Sequence, residues 1–112
     1  MNPVTVSRYL ILLLAVACYA ISWAGEITWI DVRTAEEYSQ EHVPAAINIP
    51  YDQISEGIGV LNLQPDDVIY LYCGSGRRAG IAKESLEAMG FTEVVNLGGL
   101  DDALAKAEET LQ

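Results

Sequence analysis

The fold turns on one stretch, Val68-Ile-Tyr-Leu-Tyr-Cys73-Gly-Ser-Gly-Arg-Arg78-Ala-Gly80. Residues 68–72 form a continuous apolar run, the pattern of a strand buried on both faces. Gly74-Ser75-Gly76 breaks that run at once. Residues 79–89 then place Ile81, Ala82, Leu86 and Met89 at helical spacing, and Gly90 is a good helix stop. Strand, glycine turn and helix in this order make one β–loop–α unit. Working outward, residues 27–32 are β-branched and aromatic and predict another strand. Thr34, with Glu36 and Glu37 behind it, predicts a helix start, and that helix should run to about Glu41 before Pro44. Residues 47–49 predict a short strand ended by Pro50. Residues 51–57 predict one or two helical turns, and Gly57, Gly59 and Pro65 predict loop. Val94-Val95 predicts a further strand leading into Leu97-Gly-Gly99, and residues 100–111 predict a last helix. Strands alternating with helices over so short a chain predict a single small α/β domain with a mainly parallel central sheet flanked by helices.

Composition narrows the function classes. The 112 residues are enough for one ordinary domain. A formal charge of −10 excludes the basic footprint that nucleic-acid binding needs. An apolar fraction of 51% excludes a disordered chain. Two cysteines exclude both a disulfide-dense scaffold and a cysteine-rich metal site, and with one histidine a structural zinc site has too few ligands.

The N-terminus reads as a leader. Arg8 is followed by an uncharged apolar stretch ending in Ser22-Trp23-Ala24, the charged, apolar and small-x-small anatomy of a secretory signal peptide. Cleavage after Ala24 gives a signal peptide of residues 1–24 and a domain of residues 25–112, exported and not held at the membrane. Two alternatives stand beside it: an uncleaved anchor, and lipid attachment at Cys18. All 16 acids and five of the six bases follow Ala24, so the exported part carries −11. Cys73 is then its lone cysteine. In an oxidising compartment such a residue is a core leftover, an intermolecular link or a reactive thiol.

Position favours the reactive thiol. Cys73 ends a central strand, where open parallel sheets place their ligand sites. Gly74, Ser75 and Gly76 let successive backbone N–H groups turn toward one centre, and a helix N-terminus adds positive potential. Arg77 and Arg78 add formal charge, one of them expected to be spent on a surface ion pair. A thiol in this setting should have a depressed pKa, and the same donors can hold an anion beside it. Asp31, ending the first strand, is expected either to orient Arg78 or a loop N–H or to cap the next helix. Arg33 and Glu37 have the i,i+4 spacing of a helix-face pair. His42 beside Pro44 is expected to be a packed loop residue. Trp29, Tyr70 and Tyr72 are expected in the core, and the acid-rich residues 101–109 on a solvated helix face.

These residues resemble the rhodanese family of sulfurtransferases. Trp29-Ile-Asp-Val-Arg33 with Glu37-Tyr38 is similar to the family's first signature, and Glu41-His-Val-Pro-Ala-Ala-Ile-Asn-Ile-Pro50 to its second. Cys73-Gly-Ser-Gly-Arg-Arg78 resembles the active-loop pattern C-x-x-G-x-R, and Met89-Gly-Phe91 with Leu97-Gly-Gly99 the closing one. The leader and single domain resemble the family's periplasmic type. The resemblance implies a thiosulfate sulfurtransferase without metal or organic cofactor, and the domain is expected to be a monomer. Cys73 would be the nucleophile that carries a persulfide, Gly74 to Arg78 the anion-holding loop, and cyanide or a thiol the acceptor. Alternatives are a non-catalytic persulfide carrier, or a phosphatase or arsenate reductase of the same fold. The phosphatase loop is C-x5-R, one residue longer, and Ala79 stands where its arginine would fall.

Overall fold

The computed structural model describes residues 26–111. The leader, its cleavage after Ala24 and the alternatives at Cys18 lie outside the described residues. Four strands, β1 (Thr28–Asp31), β2 (Ile47–Asn48), β3 (Val68–Cys73) and β4 (Glu93–Gly99), form one sheet in the order β2-β1-β3-β4. Every pairing is parallel. The chain leaves β1 for one side of the sheet and continues from β3 toward the other. The carboxyl ends of β1 and β3 therefore flank the switch point where such sheets bind ligands.

Alternation along the strands explains why β3 is apolar throughout. Ile69, Leu71 and Cys73 join Ile30 and Val32 on one face. That face is covered by the helical segment of residues 51–61 and by α3 (Arg77–Ala88) through Ala79, Ala82 and Leu86. Tyr72 and Trp29 enter the other face with Tyr70, beneath Val43, Ala46 and α4 (Leu100–Thr110). Trp29 meets Tyr70 edge-on at 5.0 Å between ring centroids, a favoured aromatic geometry. The first helix, α1 (Ala35–Gln40), starts at Thr34 with a capping box to Glu37.

Three expectations need correction. Helical structure continues beyond Gly57 to Leu61, as a 3-10 turn, a short α2 (Ile54–Gly57) and a second 3-10 turn. Its apolar positions Ile54 and Ile58 are buried one helical turn apart, and that burial carries the chain through both glycines. Helix α3 begins at Arg77 rather than Ala79, and its buried stripe is Ala79, Ala82 and Leu86, with Ile81 and Met89 exposed. Arg33 does not pair with Glu37.

Arg33 is turned inward to Asp31 instead. Its Nε lies 3.0 and 3.1 Å from the two carboxylate oxygens, and its Nη2 donates to Oδ2 at 2.7 Å. The Arg33 backbone N–H donates to the same carboxylate at 2.9 Å. Asp31 is fully buried, so it neither reaches Arg78 nor caps α1. Its role is structural: with Arg33 it ties β1 to the Glu41 carbonyl, while the Tyr72 hydroxyl accepts from the Val43 N–H at 3.0 Å. The hydrogen bond to Asp31 holds the Arg33 pKa above its ordinary value despite burial. Asp31→Ala would strand that guanidinium indoors, and is expected to cost about 3–5 kcal/mol in urea unfolding. A loss below about 1 kcal/mol would mean that water reaches the pair.

Candidate active site

Cys73 is the last residue of β3 and is fully buried. The chain turns back over it through Gly74, Ser75 and Gly76. Gly76 has φ +96°, a left-handed conformation that glycine adopts without strain. The turn points the Gly76 N–H at the Cys73 sulfur, at 2.9 Å. No side chain caps α3, so the sulfur stands where a capping oxygen would be. Burial alone would push the Cys73 thiol up. The N–H groups of Ala79, Ser75, Gly76 and Arg78 outweigh that, and the pKa falls below its ordinary value. The arrangement favours the ionised form of the sulfur, at the positive end of a helix and inside a cradle of backbone donors.

The end of β4 supports the cradle from behind. The β3–β4 register slips between Leu71 and Cys73, so Leu71 pairs with Asn96 but Cys73 with Gly99. The slack brings Gly98 and Gly99 against the loop. A side chain at Gly99 would place its Cβ 2.5 Å from the Gly74 carbonyl oxygen, which leaves room for glycine alone. Asn96 donates to the Gly76 carbonyl at 2.8 Å and accepts from the Gly98 N–H at 2.9 Å, tying strand to loop. Nothing in the sequence singles out Asn96.

The two arginines divide. Arg78 is spent on an ion pair with Glu37: Nη1 donates to Oε1 at 2.8 Å and Nη2 to Oε2 at 3.1 Å. That bond, joined by the Thr34 donors of the capping box, lowers the Glu37 pKa to about 2 against the cost of partial burial. Glu37 is therefore charged at any working pH. The pair raises the Arg78 pKa too, with the Cys73 charge contributing. Arg77 is exposed and makes no ion pair among the described residues. Glu37 was hidden by its spacing to Arg33; its place in the Thr34 capping box was the better signal. His42 stacks on Tyr38, ring centroids 3.7 Å apart, with Nδ1 2.7 Å from the Tyr38 carbonyl oxygen. It is a packed loop residue, as expected.

A profile of the rhodanese-like domain matches residues 15–106, most of the chain. The chain belongs to the rhodanese family. It is a sulfurtransferase by that membership. The thiosulfate sulfurtransferase PspE of Escherichia coli is 50% identical over 74 residues, 66% of this chain and 71% of PspE. The chloroplastic thiosulfate sulfurtransferase 16 of Arabidopsis thaliana is 37% identical over 90 residues, covering 70% of this chain and 73% of that one. Among solved structures, a rhodanese with anions from E. coli superposes with a TM-score of 0.66 at 48% identity, over 69% of this chain and 91% of that one.

For this rhodanese domain the rate of Cys73 alkylation by iodoacetamide is expected to rise with pH through a midpoint below the free-thiol value of about 8.5. Gly99→Ala should push the Gly74 carbonyl away, loosen the cradle and move the midpoint up while the circular dichroism stays that of the folded domain. A wild-type midpoint at or above the free-thiol value would contradict the cradle.

Proposed function

We propose that this chain is a thiosulfate sulfurtransferase with Cys73 as its nucleophile. The observation that carries the reading is a buried sulfur within 2.9 Å of a loop N–H, its pKa lowered by converging backbone donors. The likeness to two proteins named as thiosulfate sulfurtransferases supports the choice of donor.

The reaction has two half-steps. The Cys73 thiolate attacks the outer sulfur of thiosulfate. A sulfur–sulfur bond forms to Cys73 as the old one breaks, and sulfite leaves with the electron pair. The persulfide's terminal sulfur carries the negative charge, and N–H groups of the loop, with those of Ser75, Gly76 and Arg78 already turned to the sulfur, stabilise it. An acceptor thiolate, or cyanide, then attacks that outer sulfur and expels the Cys73 thiolate. Arg77, exposed and unpaired, draws the dianion in. Arg78, fixed by Glu37, borders the sulfur. No step calls for a metal or organic cofactor, because the sulfur atom itself is nucleophile, carrier and leaving group.

Phosphoryl or arsenate chemistry is disfavoured by loop size. A C-x5-R loop needs an arginine at position 79, and Ala79 is fully buried against the sheet. The leader of residues 1–24 directs residues 25–112 to the periplasm, where the domain works as a monomer.

Intact mass spectrometry of the exported protein tests both claims. Thiosulfate should add one sulfur atom, cyanide should remove it, and Cys73→Ser should gain nothing. The unmodified mass reads the cleavage site. A folded protein that takes no sulfur from thiosulfate would contradict the donor, and a persulfide that no small acceptor discharges would point to a carrier.

A further inference from the structure

Arg77 and Arg78 open the helix that follows the anion loop; among the described residues Arg78 makes an ion pair and Arg77 makes none. Glu37 occupies the forward edge of Arg78 with both carboxylate oxygens. The pair is partly shielded, with 27% of the Arg78 side chain and 36% of the Glu37 side chain exposed. Its geometry is fixed from three sides. Thr34 donates to Glu37 Oε1 from its backbone N–H and its hydroxyl, both at 3.1 Å. The guanidinium lies against Gly74, where an added Cβ would sit 3.2 Å from Nη2. Arg78 also lies close enough to Cys73 for the sulfur's charge to act on it.

This placement has a consequence for anion selection. The Arg78 charge beside the sulfur is already matched by the Glu37 carboxylate. A dianion entering the loop meets Arg77 free but Arg78 already neutralised. To gain the forward edge of Arg78 it must displace a carboxylate that helix α1 holds in place through its own capping box.

We infer that Glu37 is a specificity-determining residue, set against Arg78 to keep the loop's hold on dianions weak. The inference rests on the sulfurtransferase reading, and it gives the pair a use there. Thiosulfate and the departing sulfite are both dianions, and a loop with two free arginines would retain the product and collect sulfate or phosphate. Weak holding lets the persulfide form and the sulfite leave.

The test is binding of sulfate at physiological ionic strength, read as protection of Cys73 from iodoacetamide, a neutral reagent. Glu37→Gln keeps the capping box, since glutamine serves at that helix position as well as glutamate. It removes the charge. Sulfate should protect the variant about fivefold more tightly than wild type, the effect expected of one partly exposed charge nearby. Glu36→Gln, one residue away in the same first turn and without a contact to Arg78, controls for the general acidity of the surface and should leave protection unchanged. Equal protection of wild type and Glu37→Gln, or weaker protection of the variant, would overturn the inference. So would an equal gain from Glu36→Gln. Loss of sulfate protection in every variant would instead remove the anion loop on which the function itself rests.

Discussion

The turn after β3 brings a backbone N–H within 2.9 Å of a fully buried cysteine sulfur, and the functional end of the domain is arranged around that contact. A buried thiolate is costly unless donors replace water. Here they come from the main chain, at the start of a helix whose dipole has the same sign. The donors need no side-chain entropy to hold them and no proton transfer to charge them. They are set by the path of the chain, and that path depends on the left-handed Gly76 itself and on features some distance away, the slipped register of β4 and the Asn96 bridge from strand to loop.

Charge follows the same economy. The domain is strongly acidic overall, yet in the proposed reaction its loop admits anions. Exposed charges beyond a Debye length of about 8 Å are largely screened in physiological salt, so the local set decides. That set is a cradle of N–H dipoles, one free arginine and one arginine matched to a glutamate. The acidic positions of α4, Asp101, Asp102, Glu108 and Glu109, are exposed. Asp102 also accepts from the Gly99 N–H at 3.0 Å and so caps the helix behind the loop, while the others serve solubility.

The fold was legible where a pattern has a physical cause within a few residues. The apolar run of β3, the glycine break after Cys73 and the capping residues at Thr34 and Glu37 all placed their elements. Cys73 and its loop were legible for the same reason, because strand, turn and helix are adjacent in sequence. What escaped were contacts made across the fold. Spacing alone paired Arg33 with Glu37, but the inward turn of Arg33 to the buried Asp31 left Glu37 free for Arg78, 41 residues away. Asp31 looked like a site residue because it ends a strand at the active edge; burial and its own arginine make it structural. Asn96 carried no local signal at all, since its partners are a carbonyl and an N–H brought to it by the β4 bulge.

The most direct measurement is a pH titration of the backbone amide resonances of the loop by nuclear magnetic resonance. The amides of Ser75, Gly76, Arg78 and Ala79 should shift together downfield as the Cys73 sulfur ionises, through one midpoint below about 8.5. In Cys73→Ser they should not move over that range. Amides that stay still while the thiol titrates, or that shift only at or above the free-thiol value, would show that the backbone does not hold the sulfur anion.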